Sequence, residues 1–66
     1  KDSVMRINNL RYNASSGAFE ASVDIQRDGR MFRYPCELFA PQTMEPASIA
    51  AGLAARALRM SDTARG

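Results

Sequence analysis

Four kinds of residue in this chain could do chemistry: one thiol, two carboxylates that a hairpin would bring opposite each other, a set of arginines, and a helix face made of small residues. Cys36 is the only cysteine and there is no histidine. A cysteine nucleophile needs a nearby base or cation to form its thiolate. No base lies near Cys36 in sequence, and the parity of its segment turns it into the core, as a small apolar side chain. One cysteine and no histidine also fail to supply a thiolate or imidazole metal cage, so no metal or cofactor is expected. Glu20 and Glu37 fall opposite each other in the register derived below. A carboxylate pair does acid–base work when a pocket drives the two pKa values apart. These two fall on an open sheet face, where bridging by an arginine is the expectation. Gly17, Gly29 and Gly52 are isolated, so no phosphate-cradling loop is present. The chain is read as non-enzymatic, with no catalytic residue.

The elements that must position these residues are legible from periodicity. From residue 18 to 27, Phe19, Ala21, Val23 and Ile25 alternate with Glu20, Ser22, Asp24 and Gln26. Strict period two marks a strand with one face buried. Residues 30 to 40 repeat it, with Phe32, Tyr34, Cys36 and Leu38 on one face. Asp28-Gly29 lies between the two runs and favours a two-residue type I′ turn. Pairing Arg27 with Arg30 then sets Ile25 against Phe32, Val23 against Tyr34, Ala21 against Cys36 and Phe19 against Leu38. A slip of one residue would put each apolar group beside a polar one. On the other face Asp24 meets Arg33, and Glu20 meets Glu37.

An earlier strand spans Met5 to Tyr12. Met5 and Ile7 share one parity, Leu10 and Tyr12 the other, so a bulge near Asn8-Asn9 is expected to bring all four to the core face. Asn13 to Gly17 reads as a longer hairpin loop closed by a glycine in the left-handed region. Arg11 would then reach Glu20 and relieve the conflict with Glu37. The second strand is central, and Pro35 is tolerated because the third strand is an edge. Thr43 is the expected helix N-cap, with Glu45 and Pro46 in the first turn. Ile49, Ala50, Leu53, Ala57 and Met60 form a stripe at helical spacing, with Leu58 at its margin. Arg56 and Arg59 lie toward the helix C-terminus, where cations complement the dipole. Residues 61 to 66 are expected to fray.

The predicted fold is α+β: a three-stranded antiparallel meander followed by one C-terminal helix packed on one face (βββα). With 66 residues the chain forms one domain, 1 to 66. Met5 is taken as the native start, with residues 1 to 4 an added extension. At this size a core is marginal and a partner chain is the natural support. No apolar run reaches the roughly 18 residues of a membrane span. An unpaired cysteine suits a reducing compartment, so the expected location is the cytoplasm.

Two binding surfaces follow. Helix positions away from the core stripe include Ala47, Ser48, Ala51, Gly52 and Ala55, which are small and uncharged, where an exposed helix normally carries Lys, Glu and Gln. Small residues allow another backbone to approach, and Gly52 lacks any propensity reason to stand in a helix. Phe39 and Met31 add apolar groups on the outer sheet face. These point to a homodimer. The alternative partner is nucleic acid. The segment from Arg27 to Tyr34 resembles the central hairpin of integrase arm-binding domains, DNA readers that lay a three-stranded sheet in the major groove. Over those eight residues the resemblance implies DNA contacts from Arg27, Arg30 and Arg33. The register argues against it, since Glu20, Asp24 and Glu37 share that face and would repel phosphates. A net charge of +2 is also too small to imply a nucleic-acid partner by itself.

Overall fold

In the computed structural model, which describes residues 4 to 64, the alternating segments form the expected meander. Strands β1 (Val4–Asn13), β2 (Ala18–Arg27) and β3 (Arg30–Phe39) lie in the order β1-β2-β3, and helix α1 (Pro46–Ala64) packs on one face. The β2–β3 register is the one the Asp28-Gly29 turn dictates: Arg27 opposite Arg30, Ile25 opposite Phe32, Phe19 opposite Leu38. Asp28 and Gly29 have φ of 53° and 75°, which is the double left-handed geometry a type I′ turn requires.

The β1–β2 pairing carries the expected bulge. Asn8 faces Ser22 and Arg11 faces Glu20, so Asn9 and Leu10 together oppose Ala21. Asn9 absorbs the irregularity at φ 58°, a region asparagine tolerates better than most residues. The bulge restores the parity of Tyr12, whose ring meets Phe19 edge-on with centroids 4.8 Å apart. It does not bury Leu10, which remains 50% exposed, because it belongs to the bulged pair rather than to the regular ladder. In the following loop the Asn13 side chain accepts from the backbone N–H groups of Ser15 and Ser16 at 3.0 and 3.4 Å. The Gly17 N–H donates to the Asn13 carbonyl at 2.8 Å.

The core comprises Phe19, Ala21, Val23, Ile25, Cys36, Ile49, Leu53 and Ala57, with Met5, Ile7, Tyr12 and Leu38 half-buried around it. Helix α1 lies chiefly over β3 and β2 and least over β1. Phe32 keeps the core parity but is 39% exposed, since it lies near the hairpin end of an edge strand. Ala50 is exposed rather than part of the core stripe.

Both ends of the helix differ from expectation. It starts at Pro46, and the Glu45 carbonyl accepts the first bond from the Ile49 N–H at 3.0 Å. The cap position is therefore Glu45, not Thr43. Proline fixes its own φ for the first helical position and bars the residue before it from helical geometry. Thr43 lies instead in a turn that closes from the Met44 N–H to the Pro41 carbonyl at 3.0 Å. At the other end, Ser61 to Ala64 continue the helix rather than fray. Ser61 is 2% exposed, and Asp62 pairs with Arg27 at 3.3 Å. Residues 65 and 66 lie outside the described residues.

Candidate interaction surfaces

On the outer face of the sheet, Asp24 and Glu20 are each paired with an arginine of the same chain. Asp24 is only 8% exposed although it points away from the core. Its two oxygens accept from Arg33 Nε at 2.7 Å and Nη2 at 3.1 Å, and Asn8 Nδ2 donates at 2.9 Å. The Arg33 guanidinium holds the Asp24 carboxyl below the usual carboxylate range. Glu20 is treated similarly. Asn13 Nδ2 donates to it at 3.1 Å and Arg11 Nε at 3.2 Å. The Asn13 hydrogen bond, with Arg11 second, draws its pKa down. Glu20 faces Glu37 across the ladder, and Arg11 stands beside it as the register requires. Sequence reasoning found the arginines but missed Asn8 and Asn13. Their signal was present: both fall on the outer face of β1, opposite Ser22 and Ala18 and next to the two acids.

Cys36 is 4% exposed. Burial pushes its thiol pKa up, against a smaller opposing effect of Arg56. A neutral thiol in that setting is a poor nucleophile. Its hydrogen bond goes to the Tyr34 carbonyl at 3.5 Å. Among the described residues no three His, Cys, Asp or Glu side chains gather to hold a metal ion, and no helix is long and apolar enough to cross a membrane.

The arginines singled out for nucleic acid are divided by the fold. Arg33 is committed to Asp24, and Arg27 turns to the helix to meet Asp62, while Arg30 at the hairpin tip is exposed. On α1, Ala47, Ser48, Ala51 and Ala55 are exposed, and Phe39 is 63% exposed on the outer sheet face. Gly52 is half-buried. A Cβ built on it would stand 2.8 Å from Leu38 Cδ2 and 2.9 Å from Cδ1. The glycine thus has a reason inside the chain, the close approach of α1 to β3. Beside it, Arg56 and Arg59 rim a shallow groove against β3, with Phe39, Pro35 and Met60 in its walls. Neither arginine is in an ion pair with another described residue. A comparison with known protein families, curated proteins and solved structures finds no match to this chain.

Proposed function

We propose that this chain is a small non-enzymatic binding or assembly module that associates with a second copy of itself. The observation that supports this best is the outer side of α1. From Pro46 to Ala55 it carries no charged residue, yet Ala47, Ser48, Ala51 and Ala55 face water. A solvent-facing helix surface is ordinarily charged. Met31 and Phe39, 62% and 63% exposed, add apolar surface that a monomer would leave wet. Solution mass tests the reading. Sedimentation equilibrium at high micromolar concentration should return twice 7.3 kDa; a strict monomer would refute it. The nucleic-acid reading is weaker, because Arg27 and Arg33 are engaged by carboxylates and the sheet face carries three acids. Salt-dependent binding to random duplex at low ionic strength would revive it.

A further inference from the structure

We propose that the groove between the free edge of β3 and α1 takes an extended segment of a partner protein, added as a strand, with carboxylates at alternate positions that meet Arg56 and Arg59. This does not rest on the self-association proposed above, which uses the outer side of α1. β3 is the last strand of the sheet, and alternate residues of an edge strand turn their backbone groups outward. Counting from the Arg27–Arg30 closing pair, Pro35, Glu37 and Phe39 are among the outward ones. Pro35 has no N–H to offer. Its carbonyl, and the N–H and C=O groups of Glu37 and Phe39, pair with no described backbone group. These same residues line the groove. The other edge, β1, is broken by the bulge at Asn9 and Leu10, which blunts it for strand addition.

The helix supplies the charge. Gly52, Arg56 and Arg59 stand at i, i+4 and i+7, so they share one flank. Gly52 sets that flank against Leu38, and α1 then runs back along β3 toward the hairpin end, where Asp62 meets Arg27. Both arginines therefore stand over the same stretch of edge. Both are exposed, and neither is in an ion pair with another described residue. Glu37 also lines the groove, but it shares the parity of Pro35 and Phe39, on the sheet face away from α1. A strand added here turns alternate side chains to the two faces. Those on the helix side come level with Cys36 and Leu38, about 7 Å apart, beside the arginines. Arg56 and Arg59 are about 4.5 Å apart along the helix axis, a difference their long side chains span. Those on the other side come level with Phe39, which is 63% exposed. The segment is thus acidic toward α1 and apolar toward Phe39, a strand addition in which alternate side chains set specificity. A second copy of this chain does not fit: pairing β3 with itself would gather Arg56 and Arg59 of both copies at one seam, where like charges repel.

The test uses the full, isotope-labelled chain and a blocked peptide of alternating Glu and Val. Titration should move the amide resonances of Glu37 and Phe39, and the matching peptide of alternating Lys and Val should bind more weakly. Arg56→Gln with Arg59→Gln should weaken binding of the Glu peptide by about fivefold, the worth of two exposed ion pairs. Arg56→Glu with Arg59→Glu should reverse the preference in favour of the Lys peptide, with circular dichroism verifying the fold of each variant. Methylating alternate backbone nitrogens of the Glu peptide should abolish binding, because the added strand loses its donors. No shift of the two amides at millimolar peptide would overturn the proposal. So would a preference unmoved by the charge reversal, or a methylated peptide that binds as well as its parent, since attraction of charge alone would then explain it. Displacement of the peptide by random duplex would assign the arginines to phosphate and overturn it as well.

Discussion

Gly52 stands inside a helix, where glycine is worse than alanine by about 1 kcal/mol. The Leu38 methyl groups fill the space a Cβ would take. Gly52→Ala in the native background should therefore leave stability nearly unchanged, the propensity gain being offset by displacement of Leu38. In a Leu38→Ala background the same change should stabilise by about 1 kcal/mol. Urea melts of the four proteins give the coupling directly; equal effects in both backgrounds would mean that the approach of α1 to β3 does not explain the glycine. Cys36 makes a second test at this scale. Burial raises its pKa in the folded state, so the native chain holds the thiol proton more tightly than the unfolded chain. That contribution is fully present below the unfolded pKa, about 8.5, and is lost as pH rises toward the folded value. Wild type should lose stability as pH rises above about 8.5 relative to Cys36→Ala; parallel curves would contradict the buried neutral thiol.

At the scale of elements, the bulge is where β1 is most constrained. Asn9 at φ 58° occupies a region that costs most L-residues about 1 kcal/mol or more and glycine little. Asn9→Gly should be close to neutral, while Asn9→Val should destabilise by about 1 to 2 kcal/mol, read by thermal unfolding. A neutral valine would mean the bulge shifts or is absent. The meander was legible because two independent signals agreed: the Asp28-Gly29 turn and the apolar alternation around it. The bulge was legible because the apolar parity of β1 changes between Ile7 and Leu10. The helix start was not, because Thr43 competed with Pro46 and the proline's fixed φ wins over a side-chain cap. The tail was not either, because Ser61 and Asp62 look like fraying polar residues until the fold brings Arg27 beneath them. Periodicity also cannot say that Gly52 faces Leu38, since that depends on how the helix settles on the sheet.

At the scale of the whole molecule, the outer sheet face is bound together by charge rather than by burial. Asp24 is held by Arg33 and Asn8, and Glu20 by Asn13 and Arg11. In both cases the folded pKa lies below the ordinary value. A depressed carboxylate favours the folded state once pH exceeds its unfolded pKa, and that preference is lost as pH falls through the folded pKa. Unpaired Asp and Glu titrate near 4. Stability should therefore be flat from about pH 7 to pH 5 and decline steadily below about pH 4. The decline links all three strands, because the Asp24 and Glu20 contacts tie β2 to β1 and β3 together. Asp24→Asn combined with Glu20→Gln removes the titrating groups while keeping their size. Urea denaturation of this double variant should give a shallower acid slope and a lower plateau at pH 7. Asp24→Asn alone should take the larger share, since Asp24 is buried while Glu20 is half-exposed. If wild type and double variant fell with the same slope below pH 4, other acids would be setting the acid stability, and the outer face would be a solvated surface rather than a clasp across the sheet.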